Sequence, residues 1–379
     1  MDNNGRYLKI HILLLLFMFS NNIIGQIHGP YVEEQPRETK TTRSENSYFD
    51  KQAKIFLDTI QSILAHYPPS VLESTERGFA RLLMDAVFNE EFAVSRKPAQ
   101  EFFHARVQKM IDELENTKPE TGAKIWRLYN MGYIVRTPSV TLAFDFSSGI
   151  TSGSQEFAMG EQETERIVNQ CDALFISHLH KDHAEKKIAE QFINKGLPVF
   201  APAEVWKDDS IQNNIINPER TAHKTSQFEI NGNKLEIVTY PGHQMNEIEC
   251  NVYLVKTEEG IVMSHLGDQI NRNGFMKDFE WIDNVKENYT VDILMPNVWT
   301  ADFSRILKGF NPKLIVPSFE PEDKDWDKLS FGGELDYFEL KMAEMKASNY
   351  PFVDMMWGES YDYLPEYRTR RFLEYSNFE

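Results

Sequence analysis

The period of the hydrophobic pattern changes near residue 120, and this change constrains the fold more than any other feature of the chain. Before it, apolar residues recur every three or four positions. Phe49, Ala53, Phe56, Leu57, Ile60, Ile63, Leu64 and Tyr67 make one helical face, which Pro68-Pro69 stops. Ser70 with Glu73 has the form of a capping box that restarts a second helix, whose face continues through Phe79, Leu82, Leu83, Ala86 and Val87. A third helix is expected after Pro98, with Phe103, Val107, Met110, Ile111 and Leu114 on one side and Pro119 closing it. Beyond this point the runs have strand length. Residues 125–136 and 140–146 read as paired strands around Thr137-Pro138-Ser139, the second ending at Asp145. Further strands are expected at 173–177, 198–201, 228–230, 234–240, 251–256, 261–264, 293–295, 314–317 and 352–357, and helices at 164–169, 184–194 and 334–347. Strands with interspersed helices and several hairpins predict an α/β fold of two mixed sheets covered by helices, rather than a doubly wound parallel sheet.

The same pattern divides the chain. Residues 1–25 read as an export signal, with Arg6 and Lys9 ahead of an apolar stretch at 10–19 that is short for a membrane span, and Gly25-Gln26 as a cleavage point. Residues 26–47, rich in Glu, Thr, Arg, Pro and Asn, read as a flexible linker, 48–118 as a helical accessory unit and 119–379 as the main domain. An exported protein, periplasmic or secreted and without a stable membrane span after signal removal, is therefore expected. Cys171 and Cys250 are the two cysteines; one disulfide is permitted, but their places at the starts of core strands favour free, buried thiols. A net charge of −18 argues against a nucleic-acid partner, because such affinity comes mainly from Lys and Arg. A small-molecule substrate is the expected partner; oligomeric state is left open.

Chemistry concentrates after the strand expected at 173–177. His178, His180, Asp182 and His183 place three imidazoles and a carboxylate within six residues. Neutral imidazole and carboxylate are ligands for zinc, iron or manganese, and a strand end aims several lone pairs at one point. Asp182 is also placed to cap the helix expected from 184.

With Gly242-His243 about sixty residues later, Gly267-Asp268 after a hairpin and Asp145 ending an early strand, this run resembles the metallo-β-lactamase superfamily. The resemblance covers roughly residue 122 to the end and implies an αββα sandwich. It implies His178, His180 and His243 on one metal, Asp182 and His183 on a second, Asp268 bridging the two, and Asp145 behind them orienting an imidazole. The cofactor implied is one or two Zn2+ ions. The chemistry implied is hydrolysis of a small-molecule ester, lactone or phosphodiester by a metal-activated water, with Asp182 or Asp268 holding its proton. It is most similar to the branch with sugar-lactone and phospholipid-cleaving members rather than to the zinc lactamases. His265 is expected not to ligate, and Cys250 to be a core thiol.

The chain departs from the family near its end. Where a histidine usually completes the second site, it reads Ser318-Phe319-Glu320. Glu320 can substitute through oxygen, biasing that site towards manganese or iron. The alternative is a non-catalytic metal- or ligand-binding protein that keeps the fold with an incomplete second site. Trp299, Asp302 and Phe303, and Tyr361 and Tyr363, are weaker candidates for shaping a pocket.

Overall fold

The first helices form as the periodicity predicts: α1 (Ser47–His66), α2 (Thr75–Phe88) and α3 (Lys97–Asn116). A computed structural model describes residues 47–72, 74–88, 93–149, 157–244, 248–269, 280–298, 300, 303–318 and 343–365. The expected export signal, the linker up to residue 46, Trp299, Asp302 and Glu320 lie outside the described residues. The cap of α2 is Ser74 rather than Ser70: Ser74 Oγ accepts the Arg77 N–H at 3.1 Å, while Ser70 accepts from Leu72 in the preceding turn.

Among the described residues thirteen strands build two sheets. The first contains β1 (Ala123–Arg127), β2 (Tyr133–Arg136), β3 (Thr141–Phe144), β4 (Ala173–Phe175), β5 (Val199–Phe200), β6 (Ile215–Ile216) and β13 (Ser360–Tyr363), in the order β13-β1-β2-β3-β4-β5-β6. It is antiparallel from β13 to β3 and parallel from β3 to β6. The second contains β7 (Ser226–Ile230), β8 (Asn233–Gln244), β9 (Ile248–Lys256), β10 (Val262–His265), β11 (Ile293–Met295) and β12 (Leu314–Ile315), in the order β12-β11-β10-β9-β8-β7. It is antiparallel from β7 to β10 and parallel from β10 to β12. Between strands lie α4 (Glu161–Val168), α5 (Lys186–Asn194), α6 (Glu280–Asn288) and α7 (Phe303–Phe310).

Side-chain alternation along the strands separates three cores, and these define the layers. Ile125, Tyr133, Phe144 and Phe175 meet Ile237, Tyr253, Met263 and Met295 between the sheets. Trp126, Ile134, Ala143 and Leu174, one residue out of phase, turn the other way and pack with α1 to α5. Val238, Leu254, Leu294 and Ile315 do the same on the second sheet, against α6 and α7. The architecture is an αββα sandwich, and the N-terminal helices share their core with the outer face of the first sheet.

Three expectations need correction. The run 125–136 is not one strand: it breaks after Arg127, and a turn through Asn130 and Gly132 separates β1 from β2. Asn130 takes a left-handed φ of 50°, and Leu128 N–H donates to the Gly132 carbonyl across the turn. Residues 352–357 carry only an isolated bridge, Ile315 with Phe352, and the edge strand is β13. β8 does not stop at Tyr240 but runs to Gln244, paired with β9. Its far half has no β7 partner, so Pro241 leaves no ladder bond unmade on that side. The helices α6 and α7, nine and eight residues long, were not expected.

Candidate metal centre

Parallel strands deliver their ends to the same rim, so residues just past β3, β4, β10, β11 and β12 meet there. Asp145 follows β3 and the run 177–183 follows β4, its neighbour. From the other sheet come Asp268 after β10, Asn297 after β11 and Ser318 after β12.

Asp145 is fully buried, takes a φ of 41°, and organises the loop after β4. Its Oδ1 accepts the Ser177 N–H at 2.6 Å, and its Oδ2 accepts the Ser177 hydroxyl at 2.6 Å and His183 Nδ1 at 2.7 Å. A hydroxyl has one proton; since Ser177 gives it to Asp145, Ser177 Oγ accepts from His178 Nδ1, 2.9 Å away. Asp145 therefore sets both tautomers, directly for His183 and through Ser177 for His178. Each ring carries its proton on Nδ1 and turns Nε2 inward.

Between those inward nitrogens stands Asp268. Its Oδ2 lies 3.7 Å from His178 Nε2 and 3.4 Å from His183 Nε2. Gln244 donates to the same oxygen at 2.8 Å and Asn297 to Oδ1 at 2.6 Å, so the carboxylate is held in one orientation. His180 Nδ1 lies 3.0 Å from His178 Nε2. Ligand atoms of His178, His180 and Asp268 all fall within 4.8 Å of one another, and so do those of Asp145, His178 and His183.

Electrostatics favour a cation here. Burial drives His178 down to about 3, with the charge of His183 adding to it, so the ring stays neutral and keeps its lone pair. Burial alone would lower His183 too, but Asp268, Asp182 and Asp145 outweigh it and hold the ring well above its ordinary value. Against the rise that burial would cause, His183 keeps Asp268, Asp145 and Asp182 below the usual carboxylate range, with His265 the foremost partner of Asp145. Three carboxylates, two of them enclosed, face one imidazolium, a negative excess that divalent metal would neutralise. The donor set of imidazole and carboxylate thus fits one or two such ions.

Other candidates fall elsewhere. Asp182 stands at the mouth, its side chain 45% exposed and its Oδ2 3.4 Å from His183 Nε2. It does not cap a helix, because α5 begins at Lys186 with Glu185 before it. His243 joins neither group. β8 continues as a strand and sets Gln244 against Asp268, while the His243 N–H donates to Gln269 Oε1 at 2.7 Å. His265 Nε2 donates to the Met131 carbonyl at 2.9 Å and its ring stacks on Phe144, so it supports the β1–β2 turn. Cys171 and Cys250 are buried and free, and burial pushes both thiols up. Phe303 opens α7 inside the outer core, and Tyr363 donates to Asp292, at the other end of β11 from Asn297. Among the described residues no helix is long and apolar enough to cross a membrane.

Asn130, Ser177, Gln244 and Asn297 escaped the sequence reading. Ser177 and Asn297 carried a usable signal, a polar residue directly after a short apolar strand, as Asp145 does. Gln244 and Asn130 carried none beyond a strand continuing and a turn.

Close approach of two loops makes Gly267 irreplaceable. With φ at 51°, a Cβ there would sit 2.3 Å from Ser177 Cβ and 2.4 Å from its Oγ. Gly267→Ala is expected to push the Asp268 loop off the Ser177–His178 loop, costing roughly 1–3 kcal/mol of stability and lowering metal content. Urea denaturation with metal analysis checks this; wild-type values for both would show that the loops yield freely.

The sequence matches no protein-family model and no curated protein. Among solved structures, the chain is similar to a metallo hydrolase from the hyperthermophilic archaeon Ignicoccus hospitalis, at 16% identity over 64% of this chain and 98% of that one, with a TM-score of 0.43. An isothiocyanate hydrolase from Delia radicum gut bacteria matches at 14% identity over 63% of this chain and 99% of that one, with a TM-score of 0.43. CmlA, a diiron beta-hydroxylase from Streptomyces venezuelae, matches at 11% identity over 64% of this chain, with a TM-score of 0.43; the chain spans 55% of its length.

Proposed function

We propose that this chain is an exported, metal-dependent hydrolase of the metallo-β-lactamase superfamily that cleaves a small-molecule ester, lactone or phosphodiester. The observation that carries the reading is Asp268 Oδ2, placed between the inward nitrogens of His178 and His183. His178, His180 and Asp268 would hold one ion, and His183, Asp182 and the shared Asp268 a second. When bound, metal supplies Lewis acidity towards water and the attacked group, and cancels the negative excess of the site.

The chain's own residues do the rest. Asp145 and Ser177 hold the outer nitrogen of both rings before anything binds and leave Nε2 as the atom that would ligate, which lowers the ordering cost. Asp268 has amide donors on both oxygens and is nearly enclosed, so it is fitted to hold position. Asp182 is half in solvent and is the better proton carrier. Water adds to the acyl or phosphoryl centre, its proton passes to Asp182, the bond to the leaving oxygen breaks, and Asp182 returns the proton to that oxygen.

The test is metal analysis of natively purified protein, then a screen against chromogenic phosphodiesters, lactones and a β-lactam. Hydrolysis of one class is expected, with His178→Ala at least about 100-fold slower and one metal equivalent poorer. Absence of stoichiometric metal sinks the proposal. Bound metal with no turnover above His178→Ala would favour a non-catalytic binding protein.

A further inference from the structure

The turn between β1 and β2 brings a carboxamide into the half of the site built on Asp182 and His183. We infer that Asn130 supplies its side-chain oxygen to a second divalent cation, completing a ligand set with Asp182, His183 and Asp268. The inference rests on the metal-site reading above and adds a residue to it.

Three side chains from three separate loops converge on His183 Nε2. Asp182 Oδ2 and Asp268 Oδ2 each stand 3.4 Å from it, and the Asn130 amide stands 3.0 Å from it. Ligands bound at 2.0–2.2 Å to one ion are separated by roughly 3.3–3.6 Å in a tetrahedron and by about 2.9–3.1 Å at the right angles of an octahedron. The three spacings fall in or between these ranges. The amide nitrogen faces inward and donates to Asp182 Oδ2. In the absence of a cation that is the expected choice, because the amide N–H suits the Asp182 carboxylate. A half-turn about the terminal torsion exchanges the two ends of a carboxamide and presents Oδ1, a neutral oxygen ligand, to a cation at the same point.

The turn is built to hold Asn130 there. Its φ of 50° is one that asparagine tolerates better than most residues. Its carbonyl accepts from the buried Ser318 hydroxyl at 2.8 Å and from the buried guanidinium of Arg127. Below the turn, His265 ties the adjacent Met131 carbonyl to β10. Backbone clamps on two consecutive residues leave the Asn130 side chain little freedom except at its end. One nitrogen and three oxygens make this half harder than the half with His178 and His180, so it should prefer manganese or iron to zinc.

The experiment is calorimetric titration of metal-free protein with Mn2+, with equilibrium dialysis for stoichiometry. Wild type is expected to bind two equivalents. Asn130→Gly, which suits the left-handed backbone, should bind the first equivalent unchanged and the second roughly 10–100-fold more weakly. Asn130→Asp, which keeps an oxygen in place, should retain the second. A second equivalent within threefold of wild type in Asn130→Gly overturns the assignment. So does a wild type that binds one equivalent only, while leaving the reading on His178, His180 and Asp268 intact. A wild type that binds none overturns that reading as well.

Discussion

Replacing Glu359 with alanine is expected to cost about 3–5 kcal/mol of folding stability, the largest single-residue effect foreseen away from the rim. Glu359 is buried just before β13, and both its oxygens take the fork of Arg77 from α2, at 2.9 and 2.6 Å. Oε2 also accepts the Met356 N–H at 2.8 Å, and Arg106 of α3 lies 4.0 Å from Oε1. Alanine leaves two buried guanidinium groups facing each other without their shared anion. Solvation lost by both cannot be recovered inside the core, which is why breaking such a pair costs more than the pair itself contributes. Urea denaturation of Glu359→Ala checks the size. The double variant Glu359→Leu with Arg77→Met, which removes the strongest mismatch, should recover much of the loss. A cost below about 1 kcal/mol for Glu359→Ala would mean that water reaches the arginines.

The second large effect is expected from Asp145→Asn, with metal affinity lower by roughly 10–100-fold. Asparagine fills the same volume and accepts a left-handed φ, so the backbone at 145 should stay as it is. What changes is the count of acceptors. Asp145 accepts from the Ser177 N–H, the Ser177 hydroxyl and His183 Nδ1, whereas an amide offers one oxygen and a competing N–H pair. If the amide nitrogen faces Ser177 Oγ, the hydroxyl turns round and donates to His178 Nδ1. His178 then carries its proton on Nε2, the atom that faces Asp268. Titration of metal-free protein measures the affinity, and the nitrogen chemical shifts of the two rings report the tautomers. Wild-type affinity with unchanged tautomers would show that Asp145 only fills space.

Much of the site was legible because local chemistry is dense. His178, His180 and His183 stand close in sequence, so one strand end brings them together whatever the rest does. Asp145 and Asp268 were found through the family resemblance, one ending an early strand and the other following a hairpin. The Pro241-Gly242 pair before His243 reads as a turn, while the ladder to β9 carries β8 through it. Once β8 runs on, Gln244 reaches Asp268 at the rim. Asn130 was invisible for a related reason: the apolar residues on both sides merge into one apparent strand, and only a left-handed backbone breaks it.

By itself the sequence determined the layers, since hydrophobic period is a local property and each segment must bury its own apolar face. It also determined that a dense set of candidate metal ligands follows β4. Tertiary structure alone decided which side chains share that rim, because register across parallel strands sets which strand ends are neighbours. It decided the His178 tautomer through the single hydroxyl proton of Ser177. It also decided that Asn130, from a turn with no motif of its own, stands beside His183.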